Sequence, residues 1–291
     1  MTFYETASGK INVIETLSKE PKNDTVLCIH GLCCDARIFT YIGIKLSEAG
    51  YNVASMDLPG HGRSDGEKGD LDFDMCIKSI DQIVRDLKKR SSRVFLLAHS
   101  MGSTFALWYA HLFKSSIDGL ILLCPYIRVR NMKRRFDAEP NTIQSLLLLL
   151  GRIFVPSKRL DITKAFPTYV RIGGDRVAWM MKDPIINFRY SYRYLVDVIT
   201  VKNNKLAELS DVGDLPVLLL HGKEDRNVYL QVSEEFFKLL RTKRKNIEIF
   251  DCDHWFYDAM FYIQSSTYTE ESRMKFISSL VTWMRSLDGR K

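Results

Sequence analysis

The chain alternates between short runs of consecutive apolar residues and longer segments in which apolar residues recur every three or four positions. Runs of the first kind predict strands buried on both faces, and segments of the second kind predict amphipathic helices. The predicted strands are 10–17, 26–29, 52–56, 93–98 and 120–123, and the clearest helix carries Ile77, Ile80, Ile83, Val84 and Leu87 on one face. This order predicts an α/β fold with a mostly parallel sheet that helices cover on both sides.

The alternation stops after the strand near Cys124 and is absent for about eighty residues. It resumes with a strand at 216–220, a helix near 229–240, a strand at 247–250 and a helix near 271–286. The intervening block has apolar helical segments but no strand-like runs of its own. The sequence therefore predicts one core domain formed by residues 1–125 and 206–291, with residues 126–205 inserted as a helical cap.

Composition limits the protein class and the compartment. Apolar residues make up 46% and charged residues 26% of the 291 positions, as in soluble globular domains. The first residues lack the basic start and apolar core of a signal peptide, and no stretch reaches the roughly 20 apolar residues of a membrane span. The six cysteines show no metal-site spacing and are expected to be reduced thiols. These features predict a cytoplasmic protein.

The net charge of +7 is concentrated in the predicted cap. Residues 126–205 hold 16 Lys and Arg against 6 Asp and Glu, whereas the rest of the chain holds 26 against 29. Such asymmetry indicates an anionic partner surface. No recognised nucleic-acid motif accompanies it, so no nucleic-acid partner is expected. The sequence carries no indication of an oligomeric state.

The segment Ala98-His99-Ser100-Met101-Gly102 lies between a predicted buried strand and a predicted helix. A serine flanked at two residues by small side chains in this setting matches the nucleophile-elbow pattern G-x-S-x-G, with alanine in place of the first glycine. Such a sharp turn exposes the serine hydroxyl and brings helical N–H groups near any negative charge that develops there. Ser100 is therefore the candidate nucleophile.

A serine hydroxyl needs a base to remove its proton and a third group to orient that base. Among the six histidines only His254 follows the last core strand. The others lie beside the nucleophile, before glycines at strand ends, in a loop or on a helix: His99, His30, His221, His61 and His111. The expected chain order of serine, acid and histidine places the acid after strand 216–220, where Asp225 is favoured over Glu224.

Stabilisation of an oxyanion requires two backbone donors. One is expected to be the N–H of Met101, at the helix start after the serine. The other is expected in the loop after strand 26–29, where the Leu32 N–H is the best candidate. No metal and no cofactor are expected.

These segments resemble the α/β-hydrolase fold family, and most closely its monoglyceride lipase and lysophospholipase branch. The residues that carry the resemblance are His30-Gly31, the loop Asp57 to Ser64, the elbow around Ser100, Gly222 to Asp225, and His254. The resemblance implies an α/β-hydrolase fold, a Ser100–Asp225–His254 triad, Leu32 and Met101 as oxyanion donors, and a lid formed by the insertion. One departure is the oxyanion loop His-Gly-Leu-Cys-Cys, which is not glycine-rich.

The predicted cap carries a broad apolar face with cations nearby. Leu146, Leu147, Leu150 and Phe154 are expected to bind substrate, together with neighbouring Ile143 and Ile153, and the cations Arg152, Lys158 and Arg159 flank them. A second basic group precedes this helix: Arg128, Arg130, Lys133, Arg134 and Arg135. One interpretation is peripheral contact with an anionic membrane. The other is a lid helix whose leucines cover the pocket while the cations are solvated.

The sequence thus predicts a serine hydrolase whose partner is a lipid ester, either a monoacylglycerol or a lysophospholipid. One alternative is a general carboxylesterase or thioesterase for small acyl substrates. Another, of a different class, is a non-catalytic ligand-binding protein on the same fold.

Overall fold

The computed structural model describes residues 1–19, 23–129, 132, 135, 137–264 and 266–288. Its strands are β1 (Thr2–Thr6), β2 (Gly9–Thr16), β3 (Asp24–Ile29), β4 (Asn52–Met56), β5 (Arg93–His99), β6 (Gly119–Leu123), β7 (Arg159–Asp161), β8 (Arg189–Ser191), β9 (Val217–Gly222) and β10 (Lys245–Phe250). Its α-helices are α1 (Thr40–Glu48), α2 (Phe73–Lys88), α3 (Gly102–Leu112), α4 (Thr142–Phe154), α5 (Ile162–Ala165), α6 (Pro167–Met180), α7 (Tyr192–Val196), α8 (Leu206–Leu209), α9 (Leu230–Leu239) and α10 (Glu270–Ser286).

An eight-stranded sheet forms the core, in the order β1-β2-β4-β3-β5-β6-β9-β10. The β1–β2 and β2–β4 pairs are antiparallel, and the remaining pairs are parallel. The strand order reverses at β3, because β4 lies on one side of it and β5 on the other. In open α/β sheets, ligands bind beyond the carboxyl ends of the strands at such a reversal. The loops after β3 and β5 therefore border the expected binding crevice.

The helices form where the apolar periodicity predicts them. Helix α2 begins at an N-cap, Asp72, whose side chain accepts a hydrogen bond from the Met75 N–H at 2.9 Å. Its apolar face is buried, with a free-energy gain of about 1.5–3 kcal/mol for each large side chain removed from water. Helix α2 packs against α3, and α1 packs against α10. None of the described helices is long and apolar enough to cross a lipid bilayer.

The segment between β6 and β9 holds helices α4 to α8 and a small antiparallel sheet formed by β7 and β8. The expectation that this insertion contains no strands is therefore wrong. Each of its strands is only three residues long, which is too short to produce an apolar run or a visible alternation.

Polar contacts join this cap to the core at several points. The Ser191 N–H donates to the Gly69 carbonyl at 2.8 Å, and the Ser191 hydroxyl donates to Asp70 at 2.6 Å. Gly69 has a positive φ of +70°, and a Cβ there would lie 1.9 Å from the Arg189 carbonyl oxygen. The backbone of β8 therefore runs directly against this core loop, at a position that only glycine allows.

Candidate active site

Ser100 occupies the sharp turn between β5 and α3. Its φ is +54°, a left-handed conformation that non-glycine residues rarely adopt. The turn needs small neighbours, because a Cβ on Gly102 would lie 2.5 Å from the Ile29 carbonyl oxygen. A strained residue held this firmly points to a functional position. The side chain of Ser100 lines a cavity that lies between the core and the cap.

His254 and Asp225 lie in hydrogen-bond contact although 29 residues separate them. His254 Nδ1 is 2.6 Å from Asp225 Oδ2, and both residues are buried. The other carboxylate oxygen of Asp225 accepts the backbone N–H groups of Asn227 and Val228 at 2.7 and 2.9 Å. The alternative acid, Glu224, is exposed. The carboxylate that contacts His254 is therefore that of Asp225.

The electrostatics of this contact favour an ionised Asp225. Burial on its own raises the pKa of the carboxyl, but the charge of His254 and the hydrogen bond from it act in the opposite direction, as do His221 and the Val228 N–H. The net result is a pKa below the usual value. An ionised carboxylate accepts a hydrogen bond from the Nδ1–H group and leaves the opposite ring nitrogen of His254 free to act as a base. His254 lines the same cavity as Ser100.

His30 orients the peptide that carries the Leu32 N–H. Its Nδ1 is 2.8 Å from the Gly31 carbonyl oxygen, and its Nε2 accepts the Leu58 N–H at 3.0 Å. The proton therefore lies on Nδ1, and burial lowers the pKa of the ring and favours this neutral form. The Gly31 carbonyl and the Leu32 N–H belong to one planar peptide. His30 thus fixes the direction of the candidate oxyanion donor.

Leu32 and Met101 both line the cavity. Within the described part of the chain, the backbone N–H of neither residue donates a hydrogen bond to another protein group. The two predicted donors therefore belong to the cavity that Ser100 lines and, among the described residues, have no protein acceptor for their N–H groups.

His99 has a place in the site that the sequence analysis did not anticipate. Its Nε2 is 3.0 Å from the carbonyl oxygen of His254, and the two rings are 4.6 Å apart. Burial, followed by the nearby His254, holds the pKa of His99 well below its usual value. A neutral His99 donates to that carbonyl and supports the loop that carries His254. The feature of the sequence that could have indicated this role is the position of His99 directly before Ser100.

The cap also contacts the His254 loop through Arg176 of α6. The Arg176 guanidinium forms ion pairs with Asp253 and with Asp258, and its Nε donates to Asp258 at 2.7 Å. Asp253 directly precedes His254. The cap therefore supports the chain segment on which the candidate base is placed.

The cavity measures about 1000 Å³, part of it open to solvent, and most of its lining is apolar. The cap contributes Leu148, Ile162, Phe166, Tyr169 and Leu195 to this lining. Leu146, Leu147, Leu150 and Phe154, which the sequence predicts as substrate-binding residues, are not among the described residues that line this cavity, and they are 40–75% exposed. Helix α4 turns Leu148 inward and presents the other four to solvent. A run of five leucines has no polar residue that would mark the outward face.

Four of the predicted cations of the cap form ion pairs or hydrogen bonds with other side chains. Arg152 pairs with Asp197 at 3.0 Å, Arg159 with Glu67 at 2.7 Å, and Arg135 with Glu139. Arg128 donates to Thr200 at 3.4 Å. Arg130, Lys133 and Arg134 lie outside the described residues.

Among the described residues, Cys124, His221 and Asp225 form the one cluster with metal-ligand atoms within 4.8 Å of one another. Both ring nitrogens of His221 are already engaged, by Ser233 at 2.6 Å and by the Val228 carbonyl at 2.9 Å. Asp225 is bound to His254. The cluster is therefore a hydrogen-bonded support for the acidic loop.

A family model described as Hydrolase_4, serine aminopeptidase S33, matches residues 20–254. The chain belongs to this family. It is 24% identical to a monoglyceride lipase homologue of monkeypox virus, over 89% of this chain and 88% of that protein. It is also 24% identical to human monoacylglycerol lipase ABHD6, over 69% of this chain and 61% of that protein.

A solved structure of a soluble variant of monoglyceride lipase from Saccharomyces cerevisiae, in complex with a substrate analogue, superposes with a TM-score of 0.79. The two chains are 20% identical, and the match covers 98% of this chain and 94% of that one. The predicted α/β-hydrolase fold and the resemblance to monoglyceride lipases are thus confirmed. The chain is a serine hydrolase of this fold, similar to lipases and esterases.

Proposed function

We propose that this protein hydrolyses single-chain lipid esters, either monoacylglycerols or lysophospholipids, with Ser100, His254 and Asp225 as a catalytic triad. The observation that carries the proposal is the cavity beside Ser100, which His254 shares and which the cap lines with apolar side chains. An apolar cavity with few polar groups near the nucleophile suits an acyl chain whose ester end reaches the serine. The names of the viral and human relatives support the same substrate class.

In the proposed reaction, Ser100 Oγ attacks the ester carbonyl carbon while His254 Nε2 removes the hydroxyl proton. The carbonyl oxygen becomes an oxyanion that accepts hydrogen bonds from the Leu32 and Met101 N–H groups. The intermediate then expels the alcohol, which takes its proton from His254, and an acyl-Ser100 ester remains. Water, deprotonated by His254, attacks this ester and releases the fatty acid, and the proton returns to Ser100. Asp225 stabilises the imidazolium formed in each step.

The cavity favours an ester over a peptide substrate, although the family model is named for an aminopeptidase. Recognition of a free amino terminus requires a carboxylate or a set of oxygen acceptors for the ammonium group. None of the described residues that line this cavity carries a carboxylate. An uncharged acyl chain avoids the penalty of leaving a charge unpaired.

A panel of monoacylglycerols, lysophospholipids and p-nitrophenyl esters tests the proposal, with wild type compared with Ser100→Ala. Wild type is expected to release fatty acid from long-chain lipid esters, and Ser100→Ala is expected to lose hydrolysis and fluorophosphonate labelling. Ser103→Ala, which removes a hydroxyl one turn along α3, is the matched control and is expected to keep the label. A p-nitrophenyl maximum at acetate or butyrate would instead favour the small-ester alternative. Absence of labelling at Ser100 would favour a non-catalytic protein.

We also propose that the outer face of α4 contacts an anionic membrane surface. This face exposes the large apolar side chains Ile143, Leu146, Leu147, Leu149, Leu150, Ile153 and Phe154. Exposed cations lie close to both of its ends. Lys158 follows the helix, and Lys164 adjoins Ala165, whose carbonyl accepts a hydrogen bond from Gln144 of α4 at 3.1 Å. An apolar face with cations at its border favours an interface with anionic lipids.

Co-sedimentation with phosphatidylserine vesicles tests this contact. Phe154 is 75% exposed on α4 and Phe3 is 52% exposed on β1, so Phe154→Ser and Phe3→Ser form a matched pair. Phe154→Ser is expected to weaken binding, and Phe3→Ser is expected to leave it unchanged. Equal effects of the two substitutions, or binding that added salt does not weaken, would contradict the contact.

A further inference from the structure

The loop after β3 is held by a residue of the cap. The backbone N–H of Cys33 donates to the hydroxyl oxygen of Tyr190 at 2.9 Å, across 157 residues of sequence. The same hydroxyl donates to the Asn187 carbonyl at 2.9 Å. Tyr190 is fully buried, so its hydroxyl makes both contacts without competition from water. One cap side chain therefore links the loop to the cap backbone.

The loop needs such a support because its conformation is strained. Cys33 has a φ of +56°, which a side chain with a Cβ disfavours. The Cys33 N–H belongs to the peptide that follows Leu32, and His30 holds the peptide that precedes Leu32 through the Gly31 carbonyl. Leu32 is therefore fixed on both sides, by the core before it and by the cap after it.

The second oxyanion segment contacts the cap in a similar way. The Tyr194 hydroxyl is 3.0 Å from the sulfur of Met101, and the Tyr190 and Tyr194 rings stack with centroids 5.1 Å apart. The cap segment that carries both rings is anchored to the core by the Ser191 contacts with Gly69 and Asp70. The two tyrosines thus form one stacked pair that contacts both segments of the candidate oxyanion hole.

We propose that Tyr190 is a positioning residue for ester hydrolysis, which acts by holding the Leu32 N–H in the direction that the oxyanion requires. This inference rests on the proposed function of Ser100, Leu32 and Met101. Because Tyr190 touches neither the ester nor the nucleophile, its contribution appears only when the tetrahedral intermediate forms. The cap is then part of the catalytic apparatus as well as a wall of the acyl cavity.

Tyr190→Phe tests the proposal, with rates expressed per active site titrated to completion with a fluorophosphonate. We expect kcat on a p-nitrophenyl ester to fall about tenfold to a hundredfold, less than the ~10²–10³-fold effect of removing an oxyanion donor itself. KM is expected to change less than about twofold, since ground-state binding is untouched. The inhibition constant of a trifluoromethyl ketone, which forms a tetrahedral adduct, is expected to rise by the same factor as kcat falls.

Two further variants separate positioning from folding. Tyr192→Phe removes a hydroxyl from the same cap segment, where the ring packs against Gly151, and is expected to leave kcat unchanged. Replacement of Tyr190 by 4-aminophenylalanine keeps the ring and a donor toward Asn187 but offers a poor acceptor to Cys33, and is expected to behave like Tyr190→Phe. This variant also serves if Tyr190→Phe does not fold.

An unchanged kcat per titrated site in either Tyr190 variant overturns the proposal, and so does a change confined to KM. Those results do not contradict the proposed triad, because the wild-type protein still reacts with the fluorophosphonate and still hydrolyses esters. A wild-type protein that neither labels at Ser100 nor cleaves any ester overturns the proposed function, and the role of Tyr190 with it.

Discussion

His61 makes the stability of the fold depend on pH. It lies in the loop after β4, with its ring centroid 5.2 Å from that of His30 and 5.7 Å from that of Tyr190. Its Nδ1 is 3.1 Å from the Pro59 carbonyl oxygen, whereas its buried Nε2 has no hydrogen-bond partner among the described residues. Protonation would therefore place an unpaired N–H and a positive charge in an aromatic enclosure. Burial, followed by the nearby His30, lowers the pKa of His61 to about 3.

The size of this pH effect follows from the difference between the pKa of His61 in the folded chain and its pKa in the unfolded chain. An unfolded histidine titrates near 6.5, so below that pH the unfolded chain binds a proton that the folded chain does not bind until about pH 3. The contribution of His61 is therefore fully present above pH 6.5 and is lost as pH falls toward 3. At about 1.4 kcal/mol for each pH unit, His61 alone lowers the free energy of unfolding by about 2 kcal/mol between pH 7 and pH 5.

Urea unfolding followed by tryptophan fluorescence at pH 7, 6 and 5 measures this effect in wild type and His61→Asn. The asparagine amide nitrogen takes the place of Nδ1 toward Pro59 and does not titrate in this range. Wild type is expected to lose about 2 kcal/mol more than the variant over these two pH units. The buried histidines that do not contact His61, such as His99 and His221, contribute to both proteins and cancel in the comparison. Parallel stability profiles for the two proteins would refute the reasoning.

Three further substitutions have defined expectations. Asp225→Asn presents an N–H where the imidazole needs an acceptor, and kcat is expected to fall about 10⁴-fold in a p-nitrophenyl ester assay, with an unchanged circular dichroism spectrum. Gly31→Ala places a methyl group 3.0 Å from Ser100 Cβ, and kcat is expected to fall by up to about 10²-fold; an active variant would contradict this spacing. Gly151→Ala places a methyl group 2.3 Å from the Tyr192 ring, and thermal unfolding is expected to show that the free energy of unfolding falls by about 1–3 kcal/mol.

The parts of the fold that the sequence predicts are those whose signal is local. Residues 94–98 of β5 are all apolar because neighbouring strands and helices cover this strand on both faces. Gly102 has no side chain because the turn at Ser100 leaves no room for one. Both features can be recognised in the sequence without knowing which residues pack against them. The segments that carry Ser100 and Asp225 share this property, since each follows a recognisable buried strand. His254 follows β10, a strand of which only Phe250 is buried.

The features that escaped prediction depend on contacts between distant segments. Nothing near Tyr190 in the sequence indicates that its hydroxyl meets the Cys33 N–H, because that contact depends on how the cap lies on the core. The orientation of α4 is a second case. Leucines occupy both its inward and its outward side, so periodicity alone does not distinguish Leu148 from Leu147.

The close approach of β8 to Gly69 affects which segments can be exchanged between this protein and its relatives in chimeras. A cap transplanted from a relative would bring a different backbone path to a core loop that fits this one, where even a Cβ added to Gly69 would lie 1.9 Å from the Arg189 carbonyl oxygen. Chimeras that move only the insertion are therefore expected to assemble poorly. Those that carry the loop around Gly69 and Asp70 with it retain the Ser191 hydrogen bonds. The cap and the core loop around Asp70, which are more than a hundred residues apart in sequence, must therefore be exchanged together.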